Sequence, residues 1–246
     1  CCAWAGMQCY EKDEKYATCR NSCAAGPDFR DAKSSDPWTC KALGKRTPGK
    51  GIEDKPIEKL PDWVDEKCAK PGENCLKKQC CAWGGMQCFE KSKTWANCRN
   101  WCTPGPDFAD QDAEHWNCTS HGPRTPGKGV DPPVITYEKL PKWFKETCSN
   151  DGEDCSKSQC CISKGTQCYQ KKEGWSACRA TCSAGPDPTD ADSVPWGCRE
   201  FGPRTPGRAH APDLSTLKPA DWVASTCSKD GEDCSTSRCC ASEGKQ

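Results

Sequence analysis

Apolar side chains are sparse along this chain and never gather into a long run. Their clearest recurrence is a Trp followed by Val or Phe, at Trp63-Val64, Trp143-Phe144 and Trp222-Val223. A proline stands just upstream each time (Pro61, Pro141, Pro219), and a cysteine follows about one turn later (Cys68, Cys148, Cys227). Proline is pre-shaped for the first turn of a helix, where its missing N–H costs nothing. The pattern predicts one short helix per unit, docked by its Trp. No apolar stretch approaches the ~20 residues that span a bilayer, so no membrane span is expected.

The apolar pairs recur because the chain itself recurs. CCAWAGMQCYEK begins at Cys1, CCAWGGMQCFEK at Cys80, CCISKGTQCYQK at Cys160 and CCASEGKQ at Cys239. Equal spacing of about 80 residues indicates one structural unit copied in tandem. The sets Cys68, Cys75, Cys80, Cys81, Cys88, Cys98, Cys102, Cys118 and Cys148, Cys155, Cys160, Cys161, Cys168, Cys178, Cys182, Cys198 share the frame C-x6-C-x4-C-C-x6-C-x9-C-x3-C-x15-C. The expected divisions are a partial module over 1–45, modules over 68–123 and 148–203, and a partial module over 227–246. Connectors carrying the short helices fill 46–67, 124–147 and 204–226. They begin with Arg-Thr-Pro-Gly and hold much of the proline, which suits extended polyproline segments. Cysteine sets that break inside a module imply a longer array or filament, or modules completed by neighbouring chains.

Composition sharpens this picture. Cysteine makes up 26 of 246 residues, a density that belongs to disulfide scaffolds of oxidising compartments. A secreted, extracellular or cell-surface location is therefore expected. Only 34% of residues are apolar, so disulfides must replace much of an ordinary core. Lys+Arg and Asp+Glu both number 35, which leaves no net positive field for nucleic acid. There is no CxxC and there are only three histidines, so structural zinc is not expected. No Ser-His-Asp order, P-loop or HExxH is present, and small stapled loops do not build the deep cleft that acid–base catalysis needs. Neither catalytic activity nor a cofactor is expected.

The frame from the first to the sixth cysteine resembles the inhibitor cystine knot, or knottin. The resemblance implies a small disulfide-rich fold of tandem knottin-like modules, with short β-hairpins, one short helix per unit and Pro-rich connectors. It also implies pairing of first with fourth, second with fifth and third with sixth cysteine. Carried over, the pairs are Cys68–Cys81, Cys75–Cys88 and Cys80–Cys98, then Cys148–Cys161, Cys155–Cys168 and Cys160–Cys178. Cys102–Cys118 and Cys182–Cys198 remain to close. In the partial modules Cys1–Cys19, Cys23–Cys40 and Cys227–Cys240 can form, whereas Cys2, Cys9, Cys234 and Cys239 lack partners. Eight cysteines permit 105 pairings, so spacing alone leaves the alternatives open. Bonds from Cys2 and Cys9 within the chain would overturn the knottin pairing.

The second half of each frame resembles the fungal-type family 1 carbohydrate-binding module, a cystine-stapled fold that grips cellulose with a row of aromatics. Tyr16, Trp95 and Trp175 stand three residues before a cysteine, and Tyr10, Phe89 and Tyr169 directly follow one. The Gly-x-Gln-Cys segments ending at Cys9, Cys88 and Cys168 add to the likeness. The doubled cysteine, the x3-x15 cysteines and the long connector lie outside that family. As a whole the array resembles cysteine-rich repeats of secreted proteins of algae and other protists. The resemblance implies that these six aromatics contact polysaccharide. Gln8, Gln87 and Gln167, with Lys12, Lys91 and Lys171, are candidates to hydrogen-bond the sugar rim.

Other positions carry narrower expectations. Trp38, Trp116 and Trp196, two residues before a cysteine, are read as anchors of the x15 loop. The loop carboxylates Asp107, Asp110 and Asp112, and Asp187, Asp190 and Asp192, have the chemistry of a calcium site but no EF-hand spacing, and no metal is expected. The first copy keeps Asp28, Asp31 and Asp36. Asn117-Cys118-Thr119 is an N-glycosylation sequon, and Thr47, Thr125 and Thr205 beside proline are O-glycosylation candidates. Three functions stay open. The leading one is a non-catalytic structural repeat protein of a fibre, cell wall or cell surface, with aromatic faces that bind polysaccharide or neighbouring copies. A dedicated cellulose- or chitin-type binding array and a knottin-type inhibitor array are the alternatives.

Overall fold

The computed structural model describes residues 2–52, 56–131, 133–210 and 217–241. Each of the three repeats folds into a small three-stranded antiparallel sheet. The first contains β1 (Gln8–Asp13), β2 (Tyr16–Arg20) and β3 (Ala42–Leu43), in the order β2-β1-β3. The others are β4 (Gln87–Ser92), β5 (Trp95–Arg99) and β6 (Ser120–His121), then β7 (Gln167–Lys172), β8 (Trp175–Arg179) and β9 (Glu200–Phe201). Three short helices, α1 (Trp63–Lys67), α2 (Phe144–Thr147) and α3 (Val223–Thr226), stand at the predicted apolar pairs. Between connector and α2 lies one 3-10 turn, Tyr137–Lys139. This is a small disulfide-rich fold of tandem knottin-like modules. No described helix is long and apolar enough to cross a membrane.

The hairpin register explains why the cysteines sit where they do. Cys88 lies opposite Cys98, and Cys168 opposite Cys178, across β4–β5 and β7–β8. Residues directly opposite share a face of the sheet, so four sulfurs per hairpin pair are aimed at one small core. That core gathers Ala69, Cys75, Cys81, Met86, Cys88, Ala96 and Cys98. A β-bulge between Glu90 and Ser92 ends the hairpin and turns Trp95 across from Ser92.

The disulfides depart from the knottin pairing at the doubled cysteine. The structure forms Cys75–Cys88, Cys102–Cys118, Cys155–Cys168, Cys182–Cys198 and Cys23–Cys40. It pairs Cys68 with Cys80 and Cys81 with Cys98, replacing the expected Cys68–Cys81 and Cys80–Cys98. The next module repeats this as Cys148–Cys160 and Cys161–Cys178, replacing Cys148–Cys161 and Cys160–Cys178. Cys2–Cys19 takes the place of Cys1–Cys19, Cys1 itself lying outside the described residues. Cys227–Cys239 takes the place of Cys227–Cys240. The reason is register. Ala69 forms a parallel bridge with Cys81, held by Ala69 N–H to Cys80 O (3.0 Å) and Ala82 N–H to Ala69 O (2.8 Å). Cys68 therefore faces Cys80, and successive residues of an extended chain point to opposite sides. Cys80 turns toward the helix and Cys81 toward the sheet. Cys9, Cys234 and Cys240 carry no disulfide.

The chain divides into two compact units, residues 1–102 with 116–132, and 103–115 with 133–246. The division follows the x15 loop, which packs onto the next helix. In the first unit Phe29, on the loop of the first repeat, is buried against Val64, Cys68 and Cys80. Its ring stacks on Trp63 at 5.9 Å, and Trp63 Nε1 donates to Asp31 O at 2.8 Å. In the second unit Phe108 packs against Phe144, Cys148 and Cys160, and Trp143 Nε1 donates to Asp110 O at 3.0 Å. Trp222 Nε1 makes the same bond to Asp190 O at 2.9 Å. Val64, Phe144 and Val223 are the buried members of the predicted pairs, and their Trp neighbours are half-buried clamps.

Each Arg-Thr-Pro-Gly segment packs into its own module. Thr125 Oγ1 donates to Cys81 O at 2.6 Å and Thr205 Oγ1 to Cys161 O. Both threonines are 1% exposed. Thr47 makes the equivalent bond to Cys2 O at 2.8 Å. These hydroxyls satisfy backbone carbonyls, and Thr47 is half-buried where the other two are enclosed.

Candidate functional site

The three hairpins present the expected residues in four layers, of which the outermost is open to solvent. The innermost layer is the glutamines. Gln8, Gln87 and Gln167 are buried. Their Nε2 groups donate to the third strand: to Leu43 O and Gly44 O, to His121 O and Gly122 O, and to Phe201 O and Gly202 O. Gly122 (φ +67) must be glycine, since a Cβ there would sit 1.7 Å from Gln79 O. The glutamines tie the sheet edge through their Nε2 groups.

The second layer is the residue after the strand cysteine. Tyr10 and Phe89 are half-buried and Tyr169 is buried. The arginine of Arg-Thr-Pro-Gly covers each. Arg46 Nη2 donates to Tyr10 Oη (2.9 Å) and Arg204 Nη2 to Tyr169 Oη (2.6 Å). Arg124 lies 5.9 Å from the Phe89 ring. These aromatics brace the connector arginine, with Tyr10 and Phe89 half-buried and Tyr169 enclosed.

The third layer is a Trp held between cations. Trp38, Trp116 and Trp196 are 4%, 3% and 4% exposed, as loop anchors should be. Arg20, Arg99 and Arg179 lie 3.7, 3.8 and 4.3 Å from their rings, with Lys12, Lys91 and Lys171 each at 5.7 Å. Such cation–π pairing strengthens as water is excluded. The loop carboxylates complete the arrangement. Asp28 pairs with Arg20 and Asp187 with Arg179, Asp31 binds Lys12 at 3.3 Å, and Asp190 and Asp192 bind Lys171 at 2.8 and 2.7 Å. Lys91 and Lys171 are buried and Lys12 half-buried, which lets Lys12 and Lys171 act as internal ties to the loop carboxylates. The sulfurs of Cys75, Cys81 and Cys98 converge within 4.8 Å, but all three are spent in disulfides.

This buried ion network gives the fold a defined pH window. Burial pulls Lys171 toward lower pKa, but hydrogen bonds to Asp190 and Asp192 outweigh it and leave the ammonium above its usual value. Burial alone would raise Asp187. Bonds from the Thr189 backbone and hydroxyl, with Arg179 alongside, outweigh that and hold it below the ordinary carboxylate range. Asp192 is lowered by its hydrogen bond to Lys171. A lowered carboxylate contributes stability above its unfolded pKa and loses it as pH falls through the folded one. A raised lysine contributes below its unfolded pKa and loses it as pH rises through the folded one. Thermal midpoints should be flat near neutrality and fall at both acid and strongly alkaline pH. Asp187→Asn should shrink the acid limb, and midpoints recorded across the pH range check this.

Tyr16, Trp95 and Trp175 sit over this network and open outward. They occupy the first position of β2, β5 and β8. Tyr16 meets Trp38 edge-on at 6.1 Å, and Trp175 meets Trp196 at 6.0 Å. Tyr16 is 54% and Trp95 39% exposed, while Trp175 is half-buried. Asn117 is exposed, and its Nδ2 donates to Glu90 Oε1 at 2.6 Å.

Sequence reasoning missed three of the most open aromatics: Trp4, Trp83 and Trp101, exposed 64%, 49% and 46%. Their signal was available. These positions change between copies, reading Trp4, Trp83, Ser163 in one column and Ser22, Trp101, Thr181 in the other. Comparison with protein-family models, with curated proteins and with solved structures returned no match.

Proposed function

We propose that this chain is a non-catalytic structural repeat protein of an extracellular or cell-surface layer, whose hairpin-tip aromatics bind polysaccharide. Eleven disulfides among the described residues suit an oxidising compartment. The observation that carries the reading is the position of Tyr16, Trp95 and Trp175. Each stands at the same strand start, and Tyr16 and Trp95 keep much of the ring in water although a core built largely of disulfides and short of other apolar side chains would gain from burying it. Sugar rings present C–H faces that stack on such rings, and a rigid anchor lowers the ordering cost of binding. Repetition along one chain adds avidity through effective concentration.

Sedimentation of the oxidised chain with cellulose, chitin and β-glucan tests this. The protein should pellet with at least one polymer, and the Tyr16→Ala, Trp95→Ala, Trp175→Ala triple variant should lose about tenfold or more in affinity. Failure to pellet with any of them would shift the aromatics to contacts between neighbouring copies. The loop-to-helix clamp of Phe29 on Val64 favours that second, purely structural reading.

A further inference from the structure

Trp83 and Trp101 lie far apart in sequence yet are drawn to one end of the second repeat's sheet. Arg124 Nη1 donates to both Gly85 O (2.5 Å) and Asn100 O (2.8 Å). This single guanidinium pins the turn before β4 against the chain leaving β5. Trp83 stands two residues before Gly85, and its carbonyl accepts Met86 N–H at 3.3 Å. Trp101 directly follows Asn100. Gly85 N–H is further held by Thr125 O at 2.8 Å. Trp95 begins β5 beside the hairpin turn, at the opposite end of the same ladder.

The other repeats keep this frame and change its side chains. Arg46 Nη1 binds Gly6 O (2.5 Å) and Asn21 O (2.8 Å), with Trp4 and Ser22 at the two positions. Arg204 Nη1 binds Gly165 O (2.7 Å) and Ala180 O (2.8 Å), with Ser163 and Thr181. The third repeat therefore builds the same frame without either Trp. The frame does not need the rings, since the third repeat makes the same two arginine bonds with Ser163 and Thr181 in their places, which leaves the indoles available to a ligand.

We infer that Trp83 and Trp101 form a second polysaccharide-stacking platform, with Trp4 as its one-ring form in the first repeat and none in the third. The inference rests on the polysaccharide reading above. Half-exposed indole rings on a frame fixed by disulfides and a shared arginine offer flat faces to pyranose C–H groups at little entropic cost. The chain then grades its affinity along its length, strongest in the second repeat.

The test uses the oxidised chain, the polymers named above and the soluble hexaoses of β-1,4-glucose, β-1,3-glucose and β-1,4-N-acetylglucosamine, followed by Trp fluorescence. Trp83→Ser with Trp101→Thr installs the third repeat's own residues, so the frame is kept. It should weaken binding about tenfold, and Trp4→Ser should weaken it less. The reverse graft, Ser163→Trp with Thr181→Trp, should tighten it. Binding that depends on Trp95 but is indifferent to both exchanges overturns the platform and leaves the hairpin-tip reading standing. No binding to any glycan, or capture only of another copy of the chain, overturns both.

Discussion

Replacing Cys81 and Cys98 together by alanine is expected to lower the stability of the second repeat by about 2–5 kcal/mol. The bond closes a sequence separation of 17 residues, so its removal frees a long loop in the unfolded chain. It also leaves a hole beside Ala69, Met86 and Ala96, in a core too small to close over it. A single Cys81→Ala change reads the pairing directly. Alkylation of the folded variant should label Cys98. The knottin pairing would instead release Cys68, and peptide mass analysis separates the two. Thermal unfolding of the double variant supplies the magnitude.

The second large effect is expected at Phe108. Its ring is buried, edge-on to Phe144 at 5.4 Å and stacked on Trp143 at 6.0 Å. Phe→Ala truncation in a packed site costs about 3–5 kcal/mol. Loss of the ring also loosens the loop whose Asp110 O accepts the Trp143 indole. The third repeat carries Pro188 at this position and Val223 on the facing helix, a smaller contact. Pro188→Ala should therefore cost much less. Hydrogen exchange at 143–148 should rise sharply in Phe108→Ala, and Trp143 emission should shift to the red.

The period, the cysteine frame and the short helices were legible because each depends on local chemistry. Pro61 before Trp63-Val64 sets a helical turn whatever the rest of the chain does. The partner of Cys80 was not legible. Cys80 and Cys81 are adjacent, either can reach Cys68 along the chain, and the choice belongs to a bridge between Ala69 and Cys81 that spacing does not encode. The site was half legible for a related reason. Gln87, Lys91 and Arg124 look like surface residues by type, yet a module with so little apolar mass uses their hydrogen bonds and stems as core. Trp95 stood out in the sequence because a cysteine follows three residues later. Trp83 and Trp101 were hidden because the tie between their neighbours Gly85 and Asn100 comes from Arg124, some twenty to forty residues away.

The clamp of one loop on the following helix also bears on how such chains change over generations. Unequal crossing-over by one period of roughly 80 residues joins a loop of the Phe29 kind to a helix of the Val64 kind, the same junction as before. Gain or loss of a copy leaves no orphaned apolar face at the join. Copy number can drift under selection for reach or avidity, while the rings at positions such as Trp83 and Ser163 are free to diversify on a frame that does not need them.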